Sequence, residues 1–304
     1  MRWAEISLVT NSEAADAVTN VLISEGSGGV ASAVSSPRDL GNSRVPLAAY
    51  FPVDDRLAAI LERIESRIEA LGDMGINPGG AGFTVKFVED ADWATAWKSF
   101  FKPLVVGKIV VKPTWEEFQA KPGQLILELD PGMAFGTGNH PTTQMCLMAV
   151  QRYLEPGDIM LDMGCGSGIL AIAGALLGAS KVVGVEIDPV AVKAAKDNVA
   201  ANGVESIVQI VEADTPSAAG IEADLVIANI VADVIIGMSA ELAAALRPNG
   251  ILVVSGIIEE RRDEVADALS DARLHIIETT AEGEWISVAA AKPTTVNRQP
   301  STVQ

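Results

Sequence analysis

"IMLDMGCGSG", Ile159 to Gly168, is an apolar strand running into a glycine turn that opens a helix. In open α/β sheets this arrangement presents a ligand crevice at the C-terminal edge of the strands. Gly164, Gly166 and Gly168 permit tight turning and close approach of backbone to a ligand. Downstream, the same alternation continues through "KVVGVEID", a helix from Pro189 to Asn202, "VQIVEAD", "ADLVIANI", a helix over Met238 to Leu246, and "GILVVSG". Upstream it reaches back through a helix from Thr142 to Leu154 to the strand "QLILELD". Apolar strands separated by amphipathic helices predict a parallel sheet covered on both sides, beginning at about Gly123.

Spacing separates the ligand classes. The dinucleotide fingerprint G-x-G-x-x-G requires a third glycine where this chain has Ile169, which counts against a nucleotide-dependent oxidoreductase. The observed G-x-G-x-G resembles the first motif of S-adenosylmethionine-dependent methyltransferases. Asp162, on the strand before the turn, joins the cofactor-binding candidates with Gly164 and Gly166. A carboxylate at the end of the next strand suits a ribose diol, and Glu186 stands there, 22 residues after Gly164. Asp188 close behind is either a second acid or the cap of the Pro189 helix. Asp214 in "VEAD" is placed to accept an adenine amino group or belongs to a surface loop, and Asn229 ends a strand facing the crevice.

A second glycine cluster, "AFGTGNHPTT" from Ala134 to Thr143, has no lysine and so is not a phosphate loop. Its threonines follow a proline at a helix start, where free N–H groups and the macrodipole suit an anion such as a methionyl carboxylate. Thr142 and Thr143 are thus hydroxyl donors or helix caps, and Phe135 stacks on adenine or fills core. His140 is a candidate for contact with a substrate amine, with a structural hydrogen bond as the alternative.

The first eighty-nine residues read strand, helix, strand, strand, helix, strand, an α+β ferredoxin-like order with no catalytic-looking group. In "WAEISLV", Ala4, Ile6 and Leu8 share one face, and a helix fits Ser12 to Glu25. Short strands fit Gly29 to Val34 and Leu47 to Val53. A second helix carries Leu57, Ile60, Leu61, Ile64, Ile68 and Leu71 at helical spacing. Residues 90–122 read as a linker rich in aromatics, Trp93, Trp97, Phe100, Phe101 and Trp115, serving as core or as a platform between domains. Residues 123–293 are the sheet domain, and the polar tail 294–304 is expected to be disordered.

Composition narrows the partners. A net charge of -18 repels a phosphate backbone and argues against direct nucleic-acid binding, serving solubility or a basic protein partner. Two cysteines and two histidines offer no metal-ligand cluster. The longest apolar run, "GILAIAGALLGA", is too short to span a membrane, and "MRWAEISLVT" does not read as a signal peptide, so a cytoplasmic protein is expected.

Together "DPGMAFGTGNHPTTQMCL", "LDMGCGSGILAIAGALLGASKVVGVEIDPVAVKAAKDN", "ADLVIANIVAD", "DWATAWKSFFKPLVVGK", "RWAEISL" and "EGEWISVAA" resemble the lysine methyltransferase family of ribosomal protein L11, from Arg2 to Lys292. The resemblance implies a small N-terminal domain that grips the ribosomal protein, a linker, and a seven-stranded Rossmann-like methyltransferase domain. It also implies S-adenosyl-L-methionine as cofactor, held at Thr143, Gly164, Glu186 and Asn229, and methylation of lysine side chains and the N-terminal amine of the target. The chain departs from the family's usual pattern in having Glu186 for aspartate and "NIV" for asparagine-isoleucine-leucine. The rival readings are a methyltransferase of the same build acting on another protein, such as an electron-transfer flavoprotein subunit, or on a small amine, and a cofactor-binding protein without turnover.

Overall fold

The computed structural model describes residues 2–11, 14–27, 30–32, 44–54, 56–73, 78, 82–89, 102–130 and 138–293. Trp93, Trp97, Phe100, Phe101, Phe135 and the tail 294–304 lie outside them, as do residues 134–137 of "AFGTGNHPTT". The chain divides into two compact units, Met1–Lys102 with Pro131–Met133, and Pro103–Asp130 with Ala134–Gln304.

The N-terminal unit contains β1 (Arg2–Asn11), α1 (Ala15–Ser24), β2 (Val30–Ser32), β3 (Arg44–Pro52), α2 (Leu57–Asp73) and β4 (Phe83–Glu89). Its sheet has the order β2-β3-β1-β4, every neighbouring pair antiparallel. Period-two alternation along β1 buries Ala4, Ile6, Leu8 and Thr10 on one face. The helical period of α2 brings Leu57, Ile64, Ile68 and Leu71 to the same core, while Glu62, Arg63, Glu65 and Arg67 stay exposed. Arg63 and Arg67 reach Glu25 at the end of α1, at 2.7 and 2.9 Å, and so tie the two helices together.

The C-terminal unit is built on β8 (Ile159–Met163), β9 (Lys181–Glu186), β10 (Val208–Glu212), β11 (Ala223–Asn229), β12 (Leu246–Ile258), β13 (His275–Glu282) and β14 (Trp285–Ala291). They form one sheet of order β10-β9-β8-β11-β12-β14-β13. The first five run parallel, and β14 is antiparallel to both of its neighbours, so the sheet is mixed and not wholly parallel as the alternation predicts. The tight turn at Gly283 makes a hairpin of β13 and β14, and a hairpin can join only antiparallel strands.

Both faces of this sheet are covered. One carries α3 (Pro141–Tyr153), α4 (Ile169–Leu176) and α5 (Pro189–Ala201), packed on Met160, Val182, Leu225 and Ile227. The other carries α6 (Ala232–Ala244) and α7 (Arg262–Asp271), packed on Leu161, Val183, Val226 and Leu252. Strands sandwiched in this way read as unbroken apolar runs, which is why they are legible in the sequence. Helix α6 begins six residues before the expected Met238, since Ala232 and Ile235 already face the core.

Two further departures concern the start of this unit. "QLILELD" does not join the large sheet. Its Leu125–Glu128 segment, β7, pairs with β6 (Ile109–Lys112), which pairs with β5 (Leu104–Val106) in a separate three-stranded sheet. Residues 104–112, read as linker, therefore supply two strands to the C-terminal unit. The Lys112–Glu128 ion pair at 2.6 Å fastens the two sides together. Among the described residues no helix is long and apolar enough to cross a membrane.

Candidate active site

The parallel register lines up strand ends. Met163 lies opposite Val185 and Ala228, and Glu212 lies opposite Glu186. The residues that follow, Gly164, Glu186, Asp214 and Asn229, thus gather along one edge of the sheet, where an open α/β sheet binds its ligands.

At this edge Gly164, Gly166 and Gly168 adopt φ of 70°, 52° and 81°. A side chain at Gly164 would meet two obstacles, the left-handed backbone and the Ile230 Cγ2 atom, on which a Cβ would sit. The turn is pinned because the Gly164 and Cys165 amides both donate to the Val185 carbonyl, at 2.8 and 3.0 Å. Gly168 then stands at the N-cap of α4.

Glu186 spans the crevice floor. Its Oε2 accepts from the Gly166 amide at 2.9 Å, and Oε1 accepts from the Ile187 and Asp188 amides at 2.9 and 3.0 Å. A carboxylate offers about four acceptor sites, so this one is oriented by the backbone while keeping capacity for a ligand hydroxyl. Asp188 caps α5, its Oδ1 accepting from Val190 N at 2.9 Å. Asp214 is exposed just beyond β10, next to Ala213, whose amide donates to the Glu186 carbonyl at 2.9 Å.

The second glycine cluster meets the first here. A Cβ at Gly138, where φ is 89°, would come within 3.2 Å of Ile169 Cδ1, so this turn packs directly on the start of α4. Thr142 and Thr143, in the first turn of α3, are each 1 % exposed. Asn229 Nδ2 donates to Thr143 Oγ1 at 3.4 Å, joining the helix start to the end of β11 across 86 residues. His140 is the N-cap of α3, its Nδ1 accepting from the Thr142 amide at 3.3 Å and lying 2.7 Å from the Thr142 hydroxyl. Of its two readings, His140 here makes the structural hydrogen bond, holding the helix start.

Asp162 is fully buried beneath the turn, with Oδ2 accepting from Ala171 N at 3.0 Å. Burial pushes its pKa up to about 7; the Ala171 amide pulls it down and the Glu186 charge raises it further. Burial also pushes the Cys146 and Cys165 thiols up, so both are inert neutral core groups. Among the described residues no three His, Cys, Asp or Glu side chains gather as a metal site.

Two site neighbours escape a sequence reading. Trp285 stacks edge-on against His140, with ring centroids 4.9 Å apart, and its only sequence signal is its place in "EGEW". Gly256, at φ 85°, lets β12 pass so close to Ile230 that a Cβ would collide with the Ile230 carbonyl. It thereby fixes the corner that carries Asn229. A groove of about 630 Å³ beside α3 is lined by Met145, Met148, Tyr153, Glu278 and Thr280 and by none of these crevice residues. Its Glu278 is already held by Arg152 and Tyr153.

Residues 2–293 match the family model described as ribosomal protein L11 methyltransferase (PrmA). The chain belongs to this family. It is 40% identical over 310 residues to the ribosomal protein L11 methyltransferase of Alkaliphilus oremlandii, covering 95% of this chain and 98% of that one. The protein of the same name from Caldanaerobacter subterraneus subsp. tengcongensis is 40% identical over 311 residues, with 96% and 99% covered. Among solved structures, the ribosomal protein L11 methylase of Lactobacillus delbrueckii subsp. bulgaricus superposes with a TM-score of 0.60 at 31% identity, covering 64% of this chain and all of that one. The α/β methyltransferase fold with its large mixed sheet agrees with this membership.

Proposed function

We propose that the crevice binds S-adenosyl-L-methionine and that the protein transfers its methyl group to ribosomal protein L11, on lysine side chains and the N-terminal amine. The observation that carries this reading is the convergence, at one sheet edge, of the Glu186-pinned glycine turn with the Thr143–Asn229 pair. The residues suit such a cofactor. The turn brings backbone to the crevice at φ values that glycine adopts readily, Glu186 offers oriented acceptors to a ribose diol, and the start of α3 offers N–H groups to a carboxylate. Asp214 is assigned to the adenine side. We read residues 1–89 as a ferredoxin-like recognition domain, supported by the β2-β3-β1-β4 order.

When bound, the cofactor supplies a sulfonium methyl for in-line displacement. The protein's task is positioning, holding the amine nitrogen at a near-attack distance of about 3 to 3.5 Å. Asn229 is fixed by its amide donation to Thr143, and its carbonyl is the acceptor for substrate N–H groups. His140 supports this from behind by capping the helix that carries Thr143. A lysine at its ordinary pKa of about 10.4 costs roughly 4 to 5 kcal/mol to neutralise at pH 7, whereas an N-terminal amine near about 7.7 to 8.0 costs about 1. Partial desolvation at the crevice lowers the first cost.

Titration calorimetry with S-adenosylmethionine and a nicotinamide dinucleotide, alongside transfer of labelled methyl to ribosomal protein L11, tests the reading. Asn229→Ala is expected to lose methyl transfer at least about 100-fold while changing cofactor affinity only a few-fold. Equal losses in both would reduce Asn229 to a cofactor ligand, and nicotinamide binding would overturn the assignment.

A further inference from the structure

Asp162 is 0 % exposed, two residues before Gly164 and on the face of β8 that packs under α3 and α4. Oδ2 is bonded to the Ala171 amide, but Oδ1 has no hydrogen-bond partner among the described residues. The titratable groups facing it are Cys146 on α3, Cys165 in the glycine turn and Glu186 at the end of β9. Its cross-strand neighbours, Gly184 and Ile227, carry no charge. The thiols are neutral and Glu186 is an acid, so no cation among these neighbours compensates an ionised Asp162. An ionised carboxylate so placed is costly unless a positive charge arrives to pair with it.

We propose that Asp162 senses the charge of the ligand: it holds a proton in the free protein, releases it to solvent when the cationic sulfonium binds, and recovers one from solvent once methyl transfer leaves a neutral thioether. This rests on the cofactor assignment above. Cofactor and product share adenine, ribose, amino and carboxylate groups and differ by the methyl and its positive charge. A buried group that changes protonation with that one charge lets the crevice favour cofactor over product, increasingly as pH rises. With its pKa near 7, Asp162 is poised for the exchange in neutral solution.

Calorimetry of the full-length protein near pH 7 in phosphate and in Tris, buffers of different ionisation enthalpy, reads the protons exchanged. S-adenosylmethionine is expected to release up to about half a proton per site, and S-adenosylhomocysteine, whose ammonium is balanced by its own carboxylate, to release clearly less. D162N is expected to bind both ligands with no difference in proton count. Between about pH 6 and pH 8, the wild-type preference for cofactor over product rises, by up to about tenfold per pKa unit of coupling. Equal proton counts for the two ligands, or a release that persists in D162N, overturns the proposal. If D162N fails to fold, the wild-type comparison decides alone, and a preference flat with pH overturns it. Failure of either ligand to bind would instead sink the cofactor assignment itself, an outcome distinct from binding without a proton difference.

Discussion

In the N-terminal sheet the buried hydroxyl of Thr10 donates to the Pro78 carbonyl at 2.9 Å, whereas in the C-terminal sheet the buried carboxylate of Asp162 keeps one oxygen unpartnered among the described residues. Ser27 Oγ in the N-terminal unit also has no partner among the described residues, but a neutral hydroxyl costs far less to bury than a carboxylate. The difference extends along both sheets. Among the described residues, the buried polar side chains of the first unit are Thr10 and Ser27. In the second they include Thr142, Thr143, Asp162 and Ser167 beside the crevice, with Ser255 opposite Asn229 on the neighbouring strand. The second unit concentrates its buried polar groups where strands end and helices begin. Desolvation retained at such a place points to chemistry there, which is the division of labour proposed for the two units.

The sharpest way to break this comparison is a core cavity in the N-terminal unit. Ile64→Ala should cost about 2 to 5 kcal/mol in denaturant unfolding of that unit and leave cofactor affinity unchanged; a parallel fall in affinity would erase the division. Gly164→Ala acts from the other side. Its Cβ collides with Ile230 and its φ of 70° is unfavourable for alanine, so cofactor binding measured by calorimetry should weaken by roughly 100-fold, about 2.7 kcal/mol. Wild-type affinity in this variant would remove the turn from the site.

Asp162→Asn sharpens the comparison through pH. The native pKa, near 7, exceeds the unfolded value, so the folded state binds the proton more tightly and stability falls as pH rises from about 4 toward 7. Removing the charge should stabilise the protein above about pH 7, by up to roughly 4 kcal/mol from linkage and about 2 once the amide's own buried donors are counted. The gain should vanish near about pH 4. Melting curves at the two ends check it, and a gain confined to acid would contradict the burial argument. The smallest effect is expected at Asp188, whose loss to alanine removes a helix cap worth about 1 kcal/mol. A drop in cofactor affinity larger than the loss of stability would restore Asp188 as a ligand.

Much of the site is legible in the sequence because it is local. The glycine spacing, the acid at the end of β9 and the asparagine at the end of β11 each lie within a few residues of a strand that announces itself by its apolar run. The three-stranded sheet is not legible, since Leu104–Val106 and Ile109–Lys112 are too short to show a period and sit beside aromatics that suggest a linker. The edge hairpin β13–β14 is hidden for another reason, as its first strand is largely exposed and carries polar residues throughout. Gly256 has no signal of its own, because the backbone it must avoid belongs to Ile230, 26 positions earlier.

Sequence by itself determined the alternation of strands and helices from Ile159 to about Ser255, the turn chemistry at Gly164 and the identity of the candidate ligand residues, since these follow from spacing and residue type. Tertiary structure alone decided their states. It made Asp188 and His140 helix caps, tied Asn229 to Thr143, and turned Asp162 from one acid among many into a desolvated carboxyl near neutrality. Burial and hydrogen-bond partnership belong to whatever packs over a residue, and no residue carries that information alone.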